Sequence, residues 1–371
     1  MTRAALPLLV FAASPILAAQ LPDDAAGTRA RTGVVFESYG LSDGLAFSRI
    51  TELVIPVSVT RAFGRRVSLD LSTAYARASV RTADGDIDIA GLVDTDVRAA
   101  VTVIPGRLVL TLVGTLPTGV ETVPDTTVPL FGATATDLFG FMVPSVGSGG
   151  GVAAGFASAF PLGETWAIGT GASYRQLGKY VPVQGGGELT PGAEGRVRFG
   201  VEGPLGGGKY FRGAVTYSVN EHDEISGGDP SITGDRALIY ASLNLPLGRR
   251  ALSLYAWNMH RFRPRASSST YADATQVPRG NFVVVGARLD SPASPSLAVS
   301  PSLELRHELS GGDTLRVLGY LVRPGVHLRY RIGGRAALVT GLHYAFGQLR
   351  DEGVTVWTHG PRLSLFVDWA R

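Results

Sequence analysis

A two-residue rhythm of apolar and polar side chains runs through this chain and constrains its fold more than any other feature. In residues 67–75, Val67, Leu69 and Leu71 alternate with Ser68 and Asp70. The same alternation returns in four further segments: residues 108–116, 196–202, 299–306 and 362–369. Because successive side chains of a strand point to opposite faces of the sheet, the rhythm predicts β-strands with one apolar and one polar face.

The connections between these strands alternate in length. Short turns carrying Gly or Pro fall at residues 64–66, 105–107, 161–164, 203–208, 246–250, 290–296 and 333–335. Longer polar connections lie between them, at residues 40–48, 80–91, 117–149, 176–195, 219–235, 264–279, 307–314 and 347–355. Transmembrane barrels have short periplasmic turns and long external loops, so this layout predicts about sixteen strands. Fourteen or eighteen stay open, because residues 252–260 and 315–320 have an ambiguous phase.

A soluble β-sandwich is the alternative, since its strands show a similar alternation. The composition favours the membrane: 45% of residues are apolar and only 18% are charged, whereas about a quarter are charged in a typical soluble domain. A bilayer also requires a sheet without edges, because unpaired backbone groups are costly in hydrocarbon. We therefore predict an all-β chain that forms a closed antiparallel transmembrane β-barrel.

The N-terminal segment has the form of a secretory signal. Arg3 precedes an apolar run at residues 4–17, and Ala18 and Ala19 precede Gln20, as in a signal peptide with its cleavage region. The run is shorter than the roughly twenty residues that a membrane-spanning helix needs. We predict a signal peptide at residues 1–19 and a single barrel domain at residues 20–371.

With this layout the sequence resembles the bacterial outer-membrane porin and transporter barrels over its whole length after the signal. It is most similar in layout to the sixteen-stranded general porins, in which the third external loop folds inward and narrows the channel. Here the third long connection, residues 117–149, is the longest. The resemblance implies a place in the bacterial outer membrane, contact with the lipid bilayer, insertion by the barrel-assembly machinery, passage of a small-molecule solute, and a homo-oligomer.

If the apolar faces meet lipid, the opposite faces line the lumen. The predicted lumen and selectivity residues are Arg98, Arg196, Arg198, Arg212, Arg323, His327, Arg329, Arg331 and Arg362. Further arginines share this phase: Arg175, Arg236, Arg288 and Arg306. Two interpretations stay open. Arginine pairs well with carboxylates and could brace the wall, or an excess of positive charge could favour anionic solutes.

The longest connection is unusually apolar for an external loop. Burial of one large apolar side chain is worth about 1.5 to 3 kcal/mol, so we predict that residues 117–149 fold inward as a constriction or plug. Packing over the mouth, or against neighbouring subunits, is the alternative. The candidate constriction residues are Glu121, Asp125, Phe131, Asp137, Phe139 and Phe141. If these phenyl groups line the path, they would suit aromatic solutes.

Other classes of function find little support. A barrel hydrolase needs a serine or paired acids beside a histidine, and the pair His222 and Asp223 lies in a polar external loop. The basic residues are scattered singly, unlike a phosphate-tracking surface. We expect no catalytic residue, no cofactor, no metal site and no nucleic-acid partner. The predicted function is an outer-membrane channel for passive diffusion of small solutes, favouring anions. The alternatives are a transporter for hydrophobic or aromatic compounds and a structural or adhesion barrel with a closed lumen.

Overall fold

The computed structural model describes residues 27–134, 136–143, 145–226, 234–262, 280–310, 317–351 and 354–371. The predicted signal peptide, residues 1–19, lies outside these ranges. Within them, none of the helices has both the length and the apolar character needed to cross a bilayer.

Nearly all the regular structure is strand. The strands are β1 Thr28–Leu41, β2 Phe47–Phe63, β3 Val67–Thr82, β4 Gly85–Leu92, β5 Thr95–Ile104, β6 Leu108–Leu116, β7 Gly151–Leu162, β8 Trp166–Leu177, β9 Leu189–Thr190, β10 Glu194–Gly206, β11 Lys209–Asn220, β12 Glu224–Ile225, β13 Arg236–Leu247, β14 Arg250–Arg261, β15 Gly280–Pro292, β16 Leu297–Ser310, β17 Val317–Ile332, β18 Ala336–Asp351 and β19 Val354–Ala370. A 3₁₀ turn, Asp125–Thr127, leads into the short helix α1, Val128–Thr134.

The sheet closes on itself. Each strand pairs antiparallel with its neighbours, and β1 pairs with β19, where Gly33 lies opposite Phe366. Strands β4 and β5 both pair with β3 and together form one position in the sheet, while β9 and β12 form a separate two-stranded pair. The structure confirms the predicted closed antiparallel barrel, and it sets the strand number at sixteen.

The two faces of the wall follow the predicted rhythm. Leu112, Val197 and Leu303 point outward and are more than half exposed, at 55%, 56% and 53%. The short turns place glycine in the left-handed region, for example Gly64 at φ 67°. A Cβ built on Gly64 would meet no other atom within 4 Å, so the backbone conformation, not a lack of space, favours glycine there.

The ambiguous phase of β14 has a structural cause. Tyr255, Trp257 and Met259 face inward, in register with Gly286, Val284 and Phe282 of β15. The inner face is therefore as apolar here as the outer face, which carries Leu252 and Leu254. A two-residue rhythm disappears wherever the inner face of a barrel is itself covered by apolar packing.

The connection predicted at residues 80–91 differs from expectation. Instead of a long loop, β3 and β4 continue as a hairpin that turns at residues 83–84. On its outer face, the Arg81 guanidinium forms hydrogen bonds of 3.0 and 3.3 Å to the Asp86 carboxylate. On its inner face Val80 and Ile89 are buried. These polar residues therefore belong to a strand extension with paired charges.

Candidate functional site

The connection from β6 to β7, residues 117–150, folds into the barrel, and we call it the lumen loop. Leu130, Leu138 and Phe139 of this loop are almost completely buried. They belong to one apolar cluster with inward-facing residues of the first three strands, among them Ile50 and Val54. This half of the barrel interior is therefore a packed core.

A buried carboxylate holds one part of the lumen loop. Glu52 points inward from β2 and is 1% exposed. Its two carboxylate oxygens accept hydrogen bonds from the main-chain N–H groups of Met142 at 2.8 Å and Val143 at 3.0 Å. Both main-chain N–H groups are satisfied by this one side chain, so Glu52 fixes the path of the loop at this point.

Three arginines hold the main-chain carbonyls of residues 137–140. Arg323 on β17 donates to the Phe139 carbonyl at 2.7 Å. Arg306 on β16 donates to the carbonyls of Asp137 and Leu138 at 3.3 and 3.4 Å, and Arg362 on β19 donates to that of Gly140 at 3.4 Å. The lumen loop is thus anchored through its backbone to the last strands of the sheet.

Carboxylates on the wall hold these arginines in place. Glu304 contacts Arg306 at 2.7 Å and Arg323 at 3.6 Å. Fully buried Glu37 contacts Arg362 at 3.1 Å. Because a buried guanidinium is stable only when it is paired and hydrogen-bonded, these arginines brace the wall and the loop.

Asp94 holds together the two ends of the lumen loop, where it leaves β6 and where it enters β7. The Asp94 carboxylate accepts hydrogen bonds from the main-chain N–H groups of Gly119 at 3.0 Å and Ser148 at 2.7 Å. The N–H of Val123 bonds to the carbonyl of Pro182, in the connection after β8, at 3.0 Å. The loop therefore crosses the barrel from β6 and β7 to β14–β19 and packs against β1–β4.

A second group of inward arginines lies on the other side of this loop. The arginine wall, as we call it, comprises the inward-facing guanidiniums on β8, β10, β11 and β13: Arg175, Arg196, Arg198, Arg212 and Arg236. Arg196 contacts Glu194 at 2.7 Å, and Arg212 contacts Glu202 at 2.6 Å. Arg175, Arg196 and Arg236 are exposed, and Arg198 and Arg212 are half-buried. The neighbouring inward positions of β7 are small, for example Ala153, Gly155 and Ala157.

The remaining predicted lumen residues also lie on the inner face. Arg98 contacts Asp70 at 2.9 Å, and Arg329 contacts Asp368 at 3.5 Å. Arg331 is exposed at the periplasmic end of β17. The Nε2 atoms of His327 and His343, on adjacent strands, are 3.0 Å apart. Of the predicted set, Arg323 and Arg362 form hydrogen bonds to the lumen loop.

The candidate constriction residues separate into two groups. Phe139 and Phe141 pack against Tyr39, with ring centroids 4.6 and 5.4 Å apart, and are buried. Their phenyl groups lie in the core and not on the lumen surface, because they pack against the inward-facing ring of Tyr39. Asp137 contacts Arg261 at 3.5 Å. Asp125 is exposed, and Glu121 and Phe131 are half-buried.

Sequence reasoning missed three anchoring residues, Glu37, Tyr39 and Glu52. All three point inward, and on that face Glu37 lies between Val35 and Tyr39, and Glu52 between Ile50 and Val54. An isolated acid on the inward phase of an apolar stretch was the available signal, since a buried carboxylate requires a partner.

The external mouth near the lumen loop is acidic. Burial, together with the charges of Asp223 and Asp94, raises the pKa of Tyr180. The Asp223 carboxylate accepts a hydrogen bond from the N–H of Gly192 at 2.7 Å, which gives it a structural role in this connection. Across the described ranges, no group of three or more His, Asp or Glu side chains could hold a metal ion.

Comparison with known proteins shows the fold. No protein-family model matches the chain, and no curated protein matches its sequence. A bacterial polysaccharide outer membrane secretin matches with a TM-score of 0.50 and 8% identity, over 92% of this chain and 97% of that one. OprB of Pseudomonas putida matches with a TM-score of 0.50 and 10% identity, over 93% and 94%.

The closed sheet and its apolar outer band define the class of protein. The chain is a closed transmembrane β-barrel of sixteen antiparallel strands, and it shares this fold with the bacterial outer-membrane proteins that it matches. The bacterial outer membrane is where barrels of this architecture are found.

Proposed function

We propose that the protein is an outer-membrane channel for passive diffusion of small solutes, and that it favours anions. One observation carries this proposal: the lumen loop packs against β1–β4, whereas the arginine wall on β8–β13 lies on the other side of it, where three of its five arginines are exposed and two are half-buried. Buried arginines brace the protein, and exposed arginines face the solute. Insertion by the barrel-assembly machinery and a homo-oligomeric state belong to the same proposal.

The charge of the arginine wall supports the anion preference. Its five guanidinium groups face two carboxylates, Glu194 and Glu202, on the same strands. Arginine is always protonated, and charged side chains that line a pore set its selectivity. With a Debye length of about 10 Å at 0.1 M salt, the excess charge acts across much of the lumen.

The depth of these residues supports conduction rather than tight binding. Arg196 lies opposite Ser173 and Ser218, whereas Arg212 lies opposite Glu202, further toward the periplasmic end. Six residues of β10 separate these levels, or roughly 20 Å of strand. Several weak sites in series let an ion enter and also leave.

The alternative of a transporter for hydrophobic or aromatic compounds is disfavoured by the packing of the lumen loop. Phe139 and Phe141 are buried in the apolar core. Among the described large apolar residues of the loop, Val128 is the most exposed, at 47%. The adhesion alternative requires a lumen closed to ions, which a conductance measurement detects directly.

The test is a measurement of reversal potential in planar bilayers under a KCl gradient. We expect ion-permeable channels with anion preference. The variant Arg175→Gln/Arg198→Gln/Arg236→Gln should lose most of that preference. The matched control Arg49→Gln/Arg61→Gln/Arg77→Gln removes the same charge from the outer face and should keep it. Cation preference of the unaltered protein, or equal effects of the two variants, would reject the proposal; folded barrels without conductance would favour the closed-lumen alternative.

A further inference from the structure

The periplasmic end of the barrel carries a ring of basic side chains. The basic collar, as we call it, lies at five of the short turns and at the end of β19, and it consists of Arg65, Arg66, Arg107, Lys209, Arg249, Arg250, Arg335 and Arg371. All eight are exposed. The short turns carry two acidic side chains, Glu164 and Asp290, and Asp290 is already paired with Arg288 at 2.8 Å. The collar therefore has a large excess of positive charge.

The basic collar has no acidic partners within 4.0 Å among the residues that the structure describes. The inner wall behaves differently, since most of its arginines have carboxylate partners. An exposed cationic ring without internal partners is free to attract an external anion.

The depth of the collar identifies the kind of anion. Phe63, Leu247 and Ile332 point outward at the periplasmic ends of β2, β13 and β17, and each is more than half exposed. They mark the edge of the apolar outer band. Arg65 and Arg249 follow two residues later, within roughly 7 Å along the chain. Such a position corresponds to the headgroup region beside the hydrocarbon core.

The distribution of the collar argues for lipid over a protein partner. Its residues lie at the turns β2–β3, β5–β6, β10–β11, β13–β14 and β17–β18, which surround the barrel. A protein docked from the periplasm would cover one sector, whereas annular lipid contacts every side. Arginine and lysine close to a membrane surface attract anionic lipids.

We propose that the basic collar binds the headgroups of anionic phospholipids, of the phosphatidylglycerol class, in the periplasmic leaflet. The guanidinium groups donate hydrogen bonds to the lipid phosphates, and the neighbouring apolar band contacts the acyl chains. This proposal does not rest on channel activity, because the collar lies at the rim and the arginine wall lies in the lumen.

Two tryptophans of the protein allow a local test. Trp369 points outward at the periplasmic end of β19, opposite Ala336, which follows Arg335. Trp357 points outward near the external end of the same strand and is 57% exposed. Full-length variants that keep only one of them, with the other three tryptophans changed to Phe, report on lipid at each end. Orientation in the vesicle is unimportant if both leaflets have the same composition.

The experiment compares quenching by brominated phosphatidylglycerol and brominated phosphatidylcholine in vesicles that contain equal parts of the two lipid classes. Only one class is brominated at a time. At Trp369 we expect phosphatidylglycerol to be enriched about fivefold per neighbouring basic residue at low salt, and the enrichment to fall as salt is raised. At Trp357 we expect no such preference. The variant Arg335→Ser/Arg371→Ser should lose the enrichment at Trp369, and Arg49→Ser/Arg81→Ser should keep it.

Folding is verified independently by the strand signal in circular dichroism and by heat-modifiable migration in gels. Equal quenching by the two lipids at Trp369 in a folded barrel would overturn the proposal. Retention of the barrel on isolated peptidoglycan, combined with equal quenching, would instead assign the collar to cell-wall carboxylates.

Discussion

Arg323 and Phe139 are 184 residues apart in sequence, and the guanidinium of one donates a 2.7 Å hydrogen bond to the main-chain carbonyl of the other. The same guanidinium donates to the Tyr39 hydroxyl at 2.7 Å. One side chain of β17 therefore joins the lumen loop to the first strand. The loop is held largely through its backbone, so its path depends more on the wall than on its own side chains.

Replacement of Arg323 should weaken the barrel strongly. Arg323→Met leaves the Phe139 carbonyl and the Tyr39 hydroxyl without this donor and removes a positive charge beside half-buried Glu304. We expect the free energy of unfolding to fall by about 3 to 5 kcal/mol, as measured by urea unfolding in lipid vesicles. The control is exposed Arg331 on the same strand. Arg331→Met should change the free energy of unfolding by less than about 0.5 kcal/mol. Equal losses in both variants would show that Arg323 is no special anchor.

Glu52→Gln tests the carboxylate that holds the lumen loop. The amide keeps one acceptor oxygen but replaces the other with a donor group that faces an N–H of Met142 or Val143. We expect a loss of about 1 to 3 kcal/mol in unfolding free energy and faster cleavage of the loop by an external protease. Glu121→Gln, at a half-buried loop position, should have little effect on either measurement. Unchanged protease resistance in Glu52→Gln would contradict the proposed role.

Gly325 provides space for a histidine on the next strand. A Cβ at this position would clash with the imidazole ring of His343 at Cδ2, so Gly325→Ala forces the ring to move. We expect a loss of about 1 to 3 kcal/mol, measured by the same unfolding experiment. Gly195→Ala, where an added Cβ meets no atom within 4 Å, is the matched control. The double variant Gly325→Ala/His343→Ala should lose less than the two single changes add up to, and strict additivity would argue against a direct clash.

Adjacent residues of β6 test which face meets lipid. Leu112 points outward and is 55% exposed, whereas Thr111 points into the barrel. We expect Leu112→Arg to cost about 2 to 4 kcal/mol, because the charge is placed near the middle of the bilayer. Thr111→Arg should cost much less. The reverse order of stability would invert the assignment of the two faces.

The fold could be predicted because lipid imposes one simple rule on every strand. Outward residues within the hydrocarbon core must be apolar, so the phase of Leu112 or Val197 places Thr111 or Arg198 in the lumen. The rule fails where the inner face is apolar as well, as at Trp257 and Met259. It also failed for residues 80–91, where paired charges extend a hairpin.

The division of the arginines could not be predicted in this way. Arg196 and Arg323 both point inward, but one is exposed and the other is buried beneath the lumen loop. The difference depends on the path of the lumen loop. That path is set by contacts between distant segments, such as the hydrogen bond between Met142 and Glu52. Burial of Phe139 and Phe141 against Tyr39 has the same origin. No local pattern within residues 117–149 encodes these partners.

The positions of the loop anchors have a consequence for the order of assembly. Tyr39 and Glu52 belong to the first two strands, whereas Arg306, Arg323 and Arg362 belong to three of the last four. In a sheet that has not yet closed, the two sets lie at opposite ends of the strand order, so neither end alone offers the loop all of its anchors. The full set is present when β19 pairs with β1. Insertion of the internal segment and closure of the ring are thus completed together, which makes the final step of biogenesis cooperative and dependent on long-range contacts.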